Sequence, residues 1–267
     1  MTDMGGAGWT AFPSARSTTL SNPFHVAIDT GGRIYIADQA NNRVIRLDSI
    51  GGAGQVILGS TGNGTNQFQL PTGLCFDSGG KLHIVDSGNT RIVRVDDMAG
   101  TGWATFGAPG AGTGQFDAPQ DCFIDATGRI YISDNANQRI VRIDDLSGAG
   151  WVTFGSGGTG TAQFNGPNGI WLDSSTRIYV ADEHNNRVVR FDDMAGTNWT
   201  ALAGSGSETL SLPHAVVVSA AGRLYITDTG NNRLVRVDGI TGAGWFSFGQ
   251  FGSGTFQMQA PKGIYVR

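Results

Sequence analysis

The sequence predicts an all-β fold assembled from repeated four-stranded antiparallel units. Three observations predict it. The stretch Arg33-Ile-Tyr-Ile-Ala-Asp-Gln-Ala-Asn-Asn-Arg-Val-Ile-Arg-Leu-Asp48 returns, lightly altered, from Lys81, Arg129, Arg177 and Arg223, at spacings of 48, 48, 48 and 46 residues. Self-similarity at a fixed period in this range marks an array or ring of similar supersecondary units. Glycine makes up 42 of the 267 residues, about twice the usual ~7%, and it falls at turns of the repeat rather than in a low-complexity tract. The apolar runs are short and bounded by Pro, Gly, Asn and Asp, as strands are.

Each period reads as four strands in order. The first follows a proline: Pro23-Phe-His-Val-Ala-Ile-Asp29, with counterparts from Pro71, Pro119, Pro167 and Pro213. Its near-continuous apolar run implies burial on both faces, and proline stands at the start, where no ladder donor is needed. A Gly-containing turn leads to the second strand, which begins at Arg33 and ends at Asp38. A four-residue loop then opens the third strand at Arg43. The Asp, five residues before the Arg, lies across the mouth of this hairpin, where it can accept loop backbone N–H groups while facing the guanidinium. The fourth strand carries Trp9, Trp103, Trp151, Trp199 or Trp245, with Gln55 as the exception. Three residues before each first-strand proline stands a large apolar residue (Leu20, Phe68, Phe116, Phe164, Leu210, Met258), expected to pack in the core.

Four antiparallel strands per 46–48 residues is the pattern of a β-propeller with one blade per period. The run Pro167-Asn-Gly-Ile-Trp-Leu-Asp through Arg177-Ile-Tyr-Val-Ala-Asp-Glu-His-Asn-Asn-Arg-Val-Val-Arg-Phe-Asp192 resembles the NHL repeat, and the likeness extends over nearly the whole chain. The resemblance implies a blade fold strongly and a function weakly. NHL-type propellers include RNA-binding and protein-binding domains, sensor modules, and lyases and hydrolases with a metal in the channel, and fold alone does not choose between them.

Residues 1–267 are thus expected to form one propeller domain, with blade periods starting near 23, 71, 119, 167 and 213. These make five complete blades. Residues 261–267 match a first strand and the surroundings of Trp9 match a fourth strand, so 261–267 with 1–12 are expected to form an incomplete sixth blade shared by the termini. Aligned on the second blade, this sixth place lacks 17 residues. A thin sixth blade, a fragment of a longer chain, and completion by a second copy as an oligomer each fit that gap.

Charge narrows the partners. Net charge is −4, which disfavours a nucleic-acid groove or an anionic membrane surface. Of 18 basic residues, 15 occupy three template positions in five copies (the 33, 43 and 46 positions), leaving Arg16, Lys262 and Arg267. Cations spread so evenly form no patch. No apolar run approaches the ~20 residues that span a bilayer, and the first residues lack the regions of a signal peptide. These leave the compartment open. Cys75 and Cys122 supply no disulfide framework; four and three residues after their prolines, they are expected on opposite faces of adjacent first strands, as buried small hydrophobes.

What every blade shares is scaffold, so candidate functional residues are departures from the template on the side carrying the proline starts and the Asn-Asn loops. They are His25, Gln120, Asp121, Asn168, His214 and Lys262 at first-strand starts, and Glu183 and His184 in a loop. His25, Asp121 and His214 form a candidate set for a divalent metal at the channel mouth, although they are not in register. Glu183-His184 is an acid/base pair in composition, but neighbours on a loop tip are ordinarily just solvated. His83 stands where other blades have Tyr. No catalytic constellation is visible and no cofactor is expected, bar such a metal. The resulting expectation is a non-catalytic propeller that presents its top face to a protein, peptide or glycan, with a metal-dependent lyase or hydrolase as the alternative.

Overall fold

The computed structural model describes residues 19–266. The described chain packs as two compact units, residues 19–132 with Arg142–Trp151, and Ser133–Val141 with residues 152–266.

In the first unit, the strands Pro23–Ile28, Ile34–Asp38, Arg43–Leu47 and Val56–Leu58 form one four-stranded sheet in chain order. Pro71–Phe76, Leu82–Asp86, Arg91–Val95 and Ala104–Phe106 form the next. In the second unit, Pro167–Leu172, Ile178–Asp182, Arg187–Phe191 and Thr200–Leu202 make one sheet, and Pro213–Val218, Leu224–Asp228, Arg233–Val237 and Phe246–Phe248 another. A further sheet of Pro119–Ile124, Ile130–Asp134, Arg139–Ile143 and Val152–Phe154 draws residues from both units. Five four-stranded antiparallel blades are therefore present. Their apolar faces pack sheet on sheet: Ala27, Val44 and Leu58 of one blade meet Leu74, Ile84 and Val93 of the next. In the other unit, Tyr179, Val188 and Leu202 likewise meet Val216, Ile226 and Val235. The first strands Pro71–Phe76, Pro167–Leu172 and Pro213–Val218 are buried on both faces, most completely the last, whereas Pro23–Ile28 is only half-buried.

The repeated Asp is buried, with no solvent exposure at Asp38, Asp86, Asp182 or Asp228. In each of these blades it takes the guanidinium Nε of the third-strand Arg at 2.7–2.8 Å. It also accepts the carboxamide of the first loop Asn, as Asp38 does from Asn41 at 2.9 Å. Its backbone donor differs from the sequence expectation. The N–H comes not from its own loop but from the residue two before the first-strand proline, as with Ser21 to Asp38 and Asn165 to Asp182, each at 2.7 Å. The loop is a short 3-10 turn closed by a residue at positive φ, Asn42 at 53°, and its amides go to backbone carbonyls instead, Asn42 N–H to Gln39 and Ala40 N–H to Ser21. That positive-φ Asn reaches forward: Asn42, Asn186 and Asn232 accept the N–H of Leu70, Leu212 and Ala260 at the start of the following repeat. Gln138 does the same for Gly166.

Aromatic rings close the outer side. Phe68, Phe116 and Phe164 are fully buried, each tilted or edge-on against the Trp that precedes a fourth strand: Trp103, Trp151 and Trp199. Arg91 and Arg187 lie over the first and last of these Trp rings.

Two expectations about particular segments change. Residues 261–266 form no strand. A first strand pairs with the second strand of its own blade, and among the described residues no such partner stands beside 261–266; the Trp9 segment lies outside the described residues. Cys75 and Cys122 are joined in a disulfide, with Cα atoms 5.9 Å apart. The strands Pro71–Phe76 and Pro119–Ile124 pack against each other, and where two sheets stack it is opposite faces that meet, so the placement that suggested separation brings the sulfurs together.

His83 keeps the role of the Tyr it replaces. Its Nε2 lies 3.3 Å from Asp77 Oδ2, as the hydroxyls of Tyr35 and Tyr179 lie 3.2 and 3.1 Å from Asp29 and Asp173. Burial pushes the imidazole pKa below its usual value, although Asp77 pulls the other way. The folded pKa is therefore lower than the unfolded value near 6.5, so the unfolded chain binds a proton that the folded chain resists. Stability due to this residue is present above about pH 6.5 and is lost as pH falls towards the folded pKa. His83→Tyr is expected to flatten the fall of urea-unfolding stability as pH drops below about 6.5; an unchanged slope there would refute the assignment.

Candidate functional site

The first strands start with a local irregularity that positions the candidate residues. Register shifts occur between Pro23 and Val26, Pro167 and Ile170, and Pro213 and Ala215. His25, Asn168 and His214 stand inside these shifts, where a bulge turns side chains away from the regular alternation. The shift covers two residues in the first two cases and one in the third.

In the first unit His25 and Asp121 come together. His25 Nδ1 accepts the Leu74 N–H at 3.3 Å, and Nε2 lies 3.7 Å from Asp121 Oδ1. An imidazole accepting at Nδ1 carries its proton on Nε2 when neutral, so that N–H faces the carboxylate. Asp121 is buried, and its Oδ1 also accepts the Cys122 N–H at 2.9 Å. Gly73 makes room for it, since a Cβ there would stand 2.6 Å from Asp121 Cα. Gln120 turns back to the Ala118 carbonyl at 3.2 Å and joins neither residue.

In the second unit Asn168, Glu183 and Lys262 form a cluster. Asn168 Nδ2 donates to Glu183 Oε2, while Asn168 Oδ1 is buried without a hydrogen-bond partner. Burial lowers the pKa of the Lys262 ammonium, and the Glu183 charge acts against that shift. Two hydroxyls hold the backbone under Lys262: Thr227 Oγ1 donates to the Lys262 carbonyl at 2.9 Å and Thr229 Oγ1 to the Pro261 carbonyl at 2.6 Å. Sequence reasoning passed over both threonines. The visible signal was Thr227 at a place where Ala37, Val85 and Ala181 stand in other blades. His214 is buried. His184 is exposed and lies over Gly166, where a Cβ would come within 2.3 Å of Nδ1. Glu183 faces Asn168 instead, so the neighbouring acid and imidazole serve different partners.

The candidate metal set is thus divided, with His25 and Asp121 in one unit and His214 in the other. Among the described residues no three of His, Cys, Asp and Glu group to hold a metal ion. No helix among them is long and apolar enough to cross a membrane. The template arginines are held internally: Arg33, Arg129 and Arg177 pair with Asp29, Asp125 and Asp173 at 2.7 Å, and Arg91 and Arg187 also take loop carbonyls.

Repeated four-stranded blades joined by proline-led first strands and Asp–Asn–Arg hairpins define a β-propeller. The NHL repeat matches residues 164–191 and 210–236, the inner three strands of two successive blades with the segments leading into them. The chain is an NHL-repeat β-propeller. Among solved structures it is similar to virginiamycin B lyase from Staphylococcus aureus, with TM-score 0.66 and 18% identity over 94% of this chain and 76% of that one. A streptogramin B lyase gives 0.65 and 17% over 93% and 74%. A chain of the nidogen/laminin complex gives 0.67 and 19% over 85% and 80%. At these identities the likenesses establish the fold alone. No curated protein matches the chain.

Proposed function

We propose that this propeller is a non-catalytic binding scaffold that meets a protein or peptide partner through its first-strand starts and Asn-Asn loops. One observation carries the reading. The polar template residues recur from blade to blade, so the departures (Asn168, Glu183, His184 and Lys262 in one unit, His25, Gln120 and Asp121 in the other) are the groups that differ between blades and can distinguish a partner. A structurally similar propeller occurs in the nidogen/laminin complex, which supports a protein partner. Residues 261–267 with 1–12 would complete a partial sixth blade. The alternative, a metal-dependent lyase or hydrolase with His25, Asp121 and His214, gains no support from the geometry: His25 already uses Nδ1 as an acceptor, and the lyase neighbours are distant.

The test is affinity enrichment from native-host extract on the wild-type chain and on a Glu183→Lys/His184→Ala/Lys262→Glu variant with unchanged melting temperature. A protein recovered at least about tenfold better on the wild type, equivalent to ~1.4 kcal/mol, is expected. Equal recovery on both, or no protein enriched, would overturn the proposal.

A further inference from the structure

The one irregular period builds a groove. Twelve residues separate the fourth strand of a blade from the proline that opens the next period in residues 59–70, 107–118, 155–166 and 249–260, but residues 203–212 span only ten. Elsewhere the longer connection wraps the third-strand arginine: the carbonyls of Asn63, Gly64 and Gln67 surround Arg91, and those of Thr159, Gly160 and Gln163 surround Arg187. A Gln side chain closes each such loop onto a Gly amide, as Gln67 does on Gly64 and Gln163 on Gly160.

The short connection cannot do this. It folds back as a tight antiparallel pair, Gly204–Ser205 with Glu208–Thr209, where the others form two-residue parallel pairs. Arg233 keeps one loop carbonyl, Thr209 at 2.9 Å, and takes the Glu208 carboxylate in place of the missing ones. The space the absent residues would fill is an open groove of about 440 Å³, within the ~300–1,000 Å³ range of small-ligand sites.

The lining defines the ligand's chemistry. Glu208 and Arg233 pair, so the groove offers no net charge to a phosphate or a carboxylate. Ser207, Ser247 and Gln250 present side chains without partners among the described residues, and Asn231 lies beside them. Phe251, 69% exposed, is the single large apolar group. A ring standing in solvent beside short hydroxyls and planar carboxamides gives a flat apolar platform ringed by hydrogen-bonding groups. It gives no pocket for an apolar peptide side chain.

We propose that this groove binds a neutral pyranose unit, its C–H face stacked on Phe251 and its hydroxyls bonded to Glu208, Asn231 and Gln250. The site is separate from the partner-binding residues above, and its test is independent of theirs. Saturation-transfer NMR is run with methyl glycosides of glucose, galactose, mannose and N-acetylglucosamine. At least one is expected to receive saturation, strongest on ring C–H protons. Phe251→Ala is expected to lower its association constant about tenfold. Inserting Asn-Gly after Gly206, which restores the common connection length, is expected to abolish binding, while Lys262→Glu leaves it unchanged. Matching melting temperatures establish that the variants fold. No transfer to any of the glycosides, or transfer unaltered by both Phe251→Ala and the insertion, would overturn the proposal.

Discussion

Asp182→Ala is expected to lower the unfolding free energy by about 3–5 kcal/mol, because it removes one side of a buried ion pair and leaves its donors behind. Asp182 is fully buried and holds three groups at once: Arg187 Nε at 2.7 Å, Asn185 Nδ2 at 2.8 Å and the Asn165 N–H at 2.7 Å. The loss therefore falls on the hairpin, on its loop, and on the segment that leads into the first strand. Arg187 retains its loop carbonyls and its place over Trp199, which keeps the cost from exceeding that range. Asp182→Asn keeps an acceptor for the Asn165 N–H and is expected to cost roughly half as much, since a neutral hydrogen bond is about half as strong as a charge-assisted one. Urea denaturation of the two variants measures both. A loss under about 1 kcal/mol for Asp182→Ala would place this pair with exposed ion pairs and refute its structural role.

Removing the Cys75–Cys122 bond is the second large change. The bond closes a segment with a sequence separation of 47, and the chain-entropy estimate for a loop of that size is about 4 kcal/mol. The double variant Cys75→Ala/Cys122→Ala should lose about that much against the oxidised wild type. Thiol titration of denatured, unreduced protein supplies the direct check: no free thiol is expected before reduction and two after it. Titratable thiols before reduction would refute the bond. Since reducing cytosol keeps such thiols free, the protein for this measurement has to be purified under oxidising conditions.

The strands were legible because their causes are local and repeated. Proline, the Gly turn and the Asp–Arg pair recur with the period, and each places a strand end by itself. The cysteine pair was not legible, because it depends on which blade faces lie together. The backbone donor to Asp182 was not legible either, since it arrives from a segment 17 residues earlier. Departures from the template did bring Asn168 and Glu183 forward, and these two do touch. The same method set Glu183 beside His184 on sequence adjacency, whereas a 3-10 turn sends their side chains to different neighbours. The groove beside Phe251 had one trace in the sequence, the shortened period, and a missing pair of residues does not reveal what walls its absence exposes.

The forward-reaching loop residues bear on how the chain acquires its structure. Asn42, Gln138 and Asn232 each bond an amide 28 residues later, and Asn186 one 26 residues later. Even the disulfide reaches only into the next period. Links of such short span carry a small loop-closure cost, so each blade can be fastened to its predecessor soon after its own first strand is made. A chain wired this way can grow blade upon blade in the direction of synthesis, and its folding rate should follow that of one blade rather than the length of the whole.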